Sequence, residues 1–365
     1  MGSLFEINPD IARASTPPSL VYTSPEVYAA AKEKIFARSW QLVGDVERVR
    51  VPRQVYPLTL LEGCLDEPLL LVRDEADRLA CMSNVCTHRG MLVCENPGVE
   101  PFLRCRYHGR RFGLDGAFQS MPEFDGVADF PSTADDLARL PLERWGPFLF
   151  TTLSPSAALP FERWIEPMRS RMGWLPLDQF RFDPARSRDY LVQANWALYC
   201  ENYLEGFHIP FVHASLTGVL DYGSYRTELY EYSSLQLGLS QGGEALFDSP
   251  RGTVDHGQPV AAYYYWLFPN LMFNFYPWGV SINVVKPLGV DRTRVSFLTY
   301  VWDESKLERG AGAGLDRVER EDEAIVEAVQ RGLHSRIYAR GRYSPTREQG
   351  THHFHRMLAE TLGSE

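Results

Sequence analysis

The chain carries two short pairs of metal-binding side chains, Cys86-Thr-His88 and, further on, Cys105-Arg-Tyr-His108. Turn residues surround both, in Thr87-His88-Arg89-Gly90 and His108-Gly109-Arg110. Four such ligands meet only where two loops are folded to one point, which constrains the fold more than any other stretch does. Tetrahedral zinc takes the same ligand types, although its pairs more often read Cys-x-x-Cys or His-x-x-x-His. One Cys and one His per pair suit a [2Fe–2S] cluster with two thiolates on one iron and two imidazoles on the other. Neutral imidazole in place of thiolate raises the reduction potential of such a cluster.

At 365 residues the chain is long enough for two domains, each with its own core. Its 44% hydrophobic and 23% charged residues are ordinary for a globular protein. The N-terminus lacks a basic-then-apolar leader pattern, and no uncharged apolar run reaches the ~18 residues of a membrane span. A cytoplasmic protein without a membrane partner is expected. A net charge of −10 argues against nucleic acid as a partner. Cys64, Cys81, Cys94 and Cys200 lack disulfide-framework spacing and are expected to be reduced packing residues.

The pattern predicts an α+β chain in three parts. Residues 1–39 form a helical segment packed on the last domain, with Thr23 or Ser24 as helix cap and Pro25 in the first turn. Residues 40–153 read as a small all-β domain, with strands at Val55–Leu61 and Leu69–Val72 between Gly- and Pro-rich turns. From residue 154, Pro155, Pro160, Pro167 and Pro176 suggest an irregular or short-helix connection. Strands follow at Tyr190–Ala194, Ala261–Phe268, Leu271–Tyr276, Val280–Val285 and Arg294–Trp302, then a long amphipathic helix over Leu315–Leu333. Gly310-Ala-Gly312-Ala-Gly314 follows a polar run instead of a buried strand, so it reads as a loop and not as a nucleotide-binding turn.

A second site is signalled by Glu201-Asn202-Tyr203-Leu204-Glu205-Gly206-Phe207-His208, ending in His213. On an ideal helix, His208 and His213 would point about 140° apart. Pro210 ends or distorts that helix and lets His213 return beside His208. Two His and one carboxylate on one side of an iron, with open positions opposite, make the facial triad of oxygen-activating Fe(II) proteins. On the long helix, Asp322 falls in the middle of the arc formed by Leu315, Val318, Ile325, Val326, Val329 and Leu333, with Glu321 on one flank and Glu319 and Glu323 on the other. A carboxylate buried there needs a partner, which iron or an arginine supplies. Glu205, one turn before His208, can reach that imidazole and fix its tautomer. An aromatic concentration from Tyr263 to Trp278 can hold a quaternary ammonium by cation–π attraction, line a pocket for an aromatic ring, or fill a curved sheet. Tyr203, Tyr265, Phe273, Phe275 and Trp278 are the pocket candidates.

Cys86-Thr-His88-Arg89-Gly90, Cys105-x-Tyr107-His108-Gly109 and Leu114-Asp115-Gly116 resemble the Rieske non-haem iron oxygenases, and so does the Glu201–His213 pattern with its later Glu321-Asp322. The resemblance implies a Rieske [2Fe–2S] domain plus a helix-grip catalytic domain, an antiparallel sheet wrapped on a long helix. It implies Cys86, His88, Cys105 and His108 on the cluster, and His208, His213 and Asp322 on a mononuclear Fe(II). Asn202 would lie near that iron, and Glu205 would link His208 to His108 of a neighbouring subunit in a homotrimer. The activity implied is a terminal oxygenase that uses O2 on a small substrate, by hydroxylation or oxidative demethylation. Electrons would come from NAD(P)H through a separate flavin/iron–sulfur reductase or ferredoxin. Gln330-Arg331-Gly332-Leu333, Gly341-Arg342-Tyr343-Ser344 and His352-His353-Phe354-His355 resemble the choline, glycine-betaine and carnitine branch, in which the three His are structural. Aromatic or alicyclic substrates remain an alternative, as does an electron carrier without the second iron. One departure is Arg110, where the family usually has Trp; it is expected to alter the surface where a donor docks.

Overall fold

The computed structural model describes residues 4–154, 159–213, 226–240, 242, 245–307 and 315–363. The glycine-rich stretch 310–314 lies outside them. The chain divides into two compact units, Ala37–Leu159 and Met1–Phe36 with Pro160–Glu365.

The smaller unit is a stack of short antiparallel strands. β1 (Gln41–Asp45), β11 (Phe148–Thr151) and β10 (Leu142–Trp145) form one sheet. A second runs β5 (Gly98–Val99), β2 (Gln54–Leu60), β3 (Glu67–Arg73), β4 (Leu79–Ser83) and β9 (Arg139–Leu140). A third joins β6 (Leu103–Arg104), β7 (Arg111–Phe112) and β8 (Phe118–Ser120). The Leu-Leu-Leu-Val run of β3 is buried along its length, as a central strand covered on both faces requires. With Val55 of β2 and Met82 of β4, its Leu70 and Val72 enter a core that also takes in Cys86 and Cys105.

The larger unit begins with α1 (Leu20–Thr23) and α2 (Pro25–Lys34). Ser24 caps α2, its hydroxyl accepting from Glu26 N at 3.2 Å and Val27 N at 3.3 Å, and Pro25 starts the helix. Helix α3 spans Phe161–Met172, where the proline content suggested an irregular connection. Pro167 sits inside it, and the helix is held because Phe161, Trp164, Ile165, Met168 and Met172 bury one face. Packing of an amphipathic face outweighs the lost donor.

An antiparallel sheet follows in the order β12 (Arg181–Phe182), β19 (Arg292–Val301), β18 (Gly279–Gly289), β17 (Leu271–Tyr276), β16 (Val260–Leu267), β15 (Ser233–Leu239), β14 (Arg226–Tyr230), with β13 (Arg188–Val192) also on β19. One face takes α3: Trp164 Nε1 donates to Phe268 O at 2.9 Å, and Tyr265 OH to Pro167 O at 3.3 Å. The other face takes α4 (Trp196–Tyr203), capped by Asn195, whose side chain accepts from Ala197 N at 3.0 Å. It is followed by the single turn α5 (Ile209–Val212).

Helix α6 (Leu315–Leu333) packs against α4 and β13. Its inner stripe is Asp322, Val326, Gln330 and Leu333, whereas Ile325 and Val329 are exposed. The buried face is thus rotated from the apolar arc the sequence suggested. Gln330 earns its interior place by accepting from Asn195 N at 2.9 Å. Helix α7 (Gln349–Gly363) carries the C-terminal histidines, each tied to a different element. His352 Nε2 meets Asn8 O at 2.8 Å, His353 Nε2 meets Tyr230 O at 2.6 Å, and His355 lies 2.9 Å from Glu201 and 2.6 Å from Tyr343 OH. These contacts fasten α7 to the N-terminal segment, β14 and α4.

Candidate metal centres

The two Cys–His loops share one backbone plan. Cys86 N donates to Met91 O at 2.8 Å while Cys86 O accepts from Gly90 N at 3.0 Å; Cys105 repeats this with Arg110 O at 2.9 Å and Gly109 N at 3.0 Å. Gly90 and Gly109 close the loops at φ 72° and 76°, a left-handed backbone that strains a side chain. Both cysteines are buried, and the rings of His88 and His108 meet edge to face with centroids 4.9 Å apart. His108 Nε2 lies 2.5 Å from the Arg89 guanidinium, and Nδ1 is buried with no hydrogen-bond partner among the described residues. An orphaned interior ring nitrogen calls for a partner, and a metal bond supplies one. Burial pushes the Cys86 thiol up and adjacent Cys105 adds to this, while the charge of Arg110 opposes both. Two buried thiols and two imidazoles on matched loops fit a [2Fe–2S] cluster held by two Cys and two His.

Arg110 corrects the sequence reading. It is not on a donor-facing surface: its side chain is 2% exposed, and Nη2 pairs with Asp135 Oδ1 at 2.6 Å. The guanidinium lies 4.8 Å from the Phe118 ring centroid and 5.5 Å from that of Phe130. Planar, weakly hydrated guanidinium tolerates this stacking where ammonium would not.

In the larger unit, α4 ends at Tyr203, and the chain turns through Gly206 before α5. His208 stands just before that turn of helix and His213 just after it, with Pro210 near its start. The break brings the two rings to 5.3 Å. Glu205 reaches His208 across a turn, not along a helix. Its carboxylate accepts from His208 N at 3.2 Å and from His208 Nδ1 at 2.6 Å, and also from Phe207 N.

Asp322 enters from α6, with Oδ1 3.0 Å from His213 Nε2 and 3.4 Å from His208 Nε2. His208, His213 and Asp322 each offer one ligand atom, all within 4.8 Å of one another. Burial opposes the charge on Asp322, but hydrogen bonds from both imidazoles outweigh it and bring the carboxyl down to about 2, with Asn202 adding another. Burial likewise opposes His208, yet Asp322 and Glu205 lift it to about 9. The site therefore concentrates charge that a divalent cation would neutralise, with the imidazole protons displaced.

One participant escaped the sequence reading. Glu321 Oε2 accepts from His213 Nδ1 at 2.8 Å, so each imidazole has its own carboxylate behind it and turns Nε2 inward. The sequence places Glu321 only on a flank of the helix; the return of His213 beside α6 gives that flank a purpose. Such outer carboxylates typically account for about 10–100-fold in metal affinity. Glu321→Ala should weaken Fe(II) binding by that factor in a chelator competition and leave cluster absorbance unchanged. An unaltered affinity would remove the orienting role.

Strand alternation divides the pocket candidates. Tyr203 OH donates to Asn274 Oδ1 at 2.8 Å, on the face of β17 covered by α4. Tyr276 shares that face, close to Tyr264, Tyr203 and Glu319, and stacks on Trp278 at 5.1 Å. Tyr265, Phe273 and Phe275 point the other way. Tyr265 and Phe273 are cross-strand partners, Phe273 and Phe275 stack together, and Tyr265 OH bonds to α3. A period of two sends consecutive aromatics to opposite faces, so these three are packing residues beneath α3. Glu319, one turn before Asp322, accepts from Tyr199 OH at 2.7 Å, and burial with nearby Asp322 lifts it to about 8.

Fold and donor sets together define an oxidoreductase with two different iron centres. The family of Rieske [2Fe-2S] domains matches residues 39–131, and that of ring hydroxylating alpha subunits (catalytic domain) matches 177–364. Chloroplastic choline monooxygenase of Arabidopsis thaliana is 31% identical, over 98% of this chain and 86% of the relative. The carnitine monooxygenase oxygenase subunit of Escherichia coli (strain K12) is 27% identical, over 96% of this chain and 94% of its own. The solved structure of the quaternary ammonium Rieske monooxygenase CntA with L-carnitine superposes with a TM-score of 0.77, covering 98% of this chain and 100% of that one at 23% identity, which shows the shared fold. The chain belongs to the Rieske non-haem iron oxygenases, as an alpha subunit with a Rieske cluster and a mononuclear iron. No described helix is long and apolar enough to cross a membrane.

Proposed function

We propose that this chain oxidises a small quaternary ammonium compound. The cluster would sit on Cys86, His88, Cys105 and His108, and the iron on His208, His213 and Asp322. The observation that carries the substrate class is the aromatic group Tyr203, Tyr264, Tyr276 and Trp278, on the side of the sheet covered by α4 and near Glu319 of α6. Aromatic faces hold a cation that cannot donate hydrogen bonds, at roughly 0.5–2 kcal/mol per contact. The choline and carnitine relatives support the same class. When bound, the cluster supplies single electrons and the mononuclear iron activates dioxygen against a substrate C–H bond. The chain's own groups do the positioning: Glu205 and Glu321 hold both imidazoles at Nδ1, Asp322 remains an anion, and Asn202 steadies it.

The reading extends to a cytoplasmic homotrimer fed by a separate NAD(P)H-dependent reductase or ferredoxin, with Glu205 as the link to His108 of the next subunit. No disulfide joins any of the six cysteines, which suits a reducing compartment. Inter-subunit electron transfer in a structurally similar quaternary ammonium Rieske monooxygenase supports this link. The test is anaerobic purification, iron and sulfide analysis, then turnover with a generic reductase and NADH. Expected are three irons to two sulfides per chain and an oxidised product from a quaternary amine. Turnover of aromatic acids alone would overturn the substrate class, and two irons to two sulfides would leave only an electron carrier.

A further inference from the structure

The cluster loops hold a charge that ligand binding does not require. Arg110 follows directly on His108-Gly109, and its carbonyl closes the Cys105 loop by accepting from Cys105 N at 2.9 Å. Its side chain turns inward among Phe112, Phe118 and Phe130, with ring centroids 5.7, 4.8 and 5.5 Å from the guanidinium carbon. Nε is buried without a hydrogen-bond partner among the described residues. Nη2 reaches both Asp135 Oδ1 at 2.6 Å and Asp135 O at 3.2 Å. The same Asp135 carbonyl accepts from Thr87 Oγ1, in the other cluster loop, at 2.8 Å. One backbone oxygen thus ties Thr87 of one loop and the buried Arg110 guanidinium of the other together.

The pair is asymmetric. The Arg110 side chain is 2% exposed and that of Asp135 is 19% exposed. Water screens the anion more than the cation, so the compensation is incomplete inside the unit. Arg110 stands beside the ligands in sequence and in bonding, two residues after His108 and with its carbonyl accepting from Cys105 N at 2.9 Å. Hydrogen bonds, burial and local net charge are the means by which a protein tunes an iron–sulfur potential.

We propose that Arg110 is a positioning residue whose buried charge raises the reduction potential of the Rieske cluster. Reduction adds one electron to the cluster and breaks no bond; the electron comes from dithionite in the test and from a reduced flavin or iron–sulfur donor in use. The extra negative charge is stabilised by a guanidinium already in place, so no reorganisation is needed when it arrives.

The experiment is a dithionite titration of the full chain at one pH, followed by visible circular dichroism and by the paramagnetic signal of the reduced cluster. The unaltered protein's cluster spectrum tests the cofactor itself, and differences between variants test Arg110. Arg110→Met keeps the apolar stem and removes the charge; it should disfavour reduction about tenfold, which is about 59 mV for a one-electron couple. Should Arg110→Met fail to retain its cluster, Asp135→Asn decides: it keeps an acceptor for Nη2 while removing the anion, and should move the midpoint upward. Intact cluster in Arg110→Met with an unmoved midpoint overturns the proposal. So does an unmoved or lowered midpoint in Asp135→Asn.

Discussion

Asp322→Ala should yield a red-brown protein that retains its cluster and has lost oxygenase turnover. The carboxylate is the only one of the three ligand residues supplied by α6, and it lies within 3.0 Å and 3.4 Å of the two imidazole Nε2 atoms. Its removal leaves two imidazoles flanking α5 with no carboxylate at their Nε2 atoms. An outer carboxylate is worth about 10–100-fold, so loss of a direct ligand should exceed about 100-fold in iron affinity. The cluster loops are in the other unit. Visible absorbance should therefore be unchanged while iron per chain falls from three to two. Full turnover in this variant would remove Asp322 from the site. The same result in a preparation still holding three irons would direct attention to Glu321 or Glu319 as the carboxylate ligand.

Arg171→Met should destabilise the larger unit without touching the chemistry. From α3, Arg171 pairs bidentately with Asp255, Nε to Oδ2 at 2.6 Å and Nη2 to Oδ1 at 2.8 Å, and meets Glu228 at 2.9 Å. Its side chain is 8% exposed and that of Asp255 is 3% exposed. Tyr263 OH donates to Asp255 at 3.0 Å and Tyr230 OH to Glu228 at 2.7 Å, so the group ties β14 and β16 to the helix above them. Deleting the guanidinium strands a buried carboxylate, which costs about 3–5 kcal/mol out of a typical total near 5–15 kcal/mol. The melting temperature of that unit should fall by roughly 10 °C. Asp255→Asn added to Arg171→Met should restore part of the loss; a melting point within 2–3 °C of the unaltered chain (about 1 kcal/mol) in the single variant would show the network to be dispensable.

Much of the site could be read in the chain because its chemistry is local. A Cys and a His two or three positions apart, each beside a glycine, announce a ligand loop before any fold is known. Pro210 between His208 and His213 signals the break that brings the rings together. Asp322 was legible as a carboxylate on an inward helix face even though the face itself was misjudged. Ile325 and Val329 are exposed while Gln330 is buried, because a hydrogen bond to Asn195 stabilises a polar residue inside. What stayed illegible depended on partners distant in sequence. Glu321 acquires a role only when His213 lies beside it. Tyr263-Tyr264-Tyr265-Trp266 has no polar residue to show which face is which, so Tyr265, Phe273 and Phe275 could not be separated from Tyr276 and Trp278. Helix α3 was hidden by Pro167, whose penalty is outweighed by a buried face that the proline count does not reveal.

The anchoring of the two imidazoles has a consequence for how the centre is filled and emptied. His208 takes its supporting carboxylate from its own loop, three residues earlier, whereas His213 depends on Glu321, the immediate neighbour of Asp322. One helix thus carries both the third ligand and the brace of the second. A small outward displacement of that helix would withdraw Asp322 and unbrace His213 together, while His208 would keep the support of Glu205.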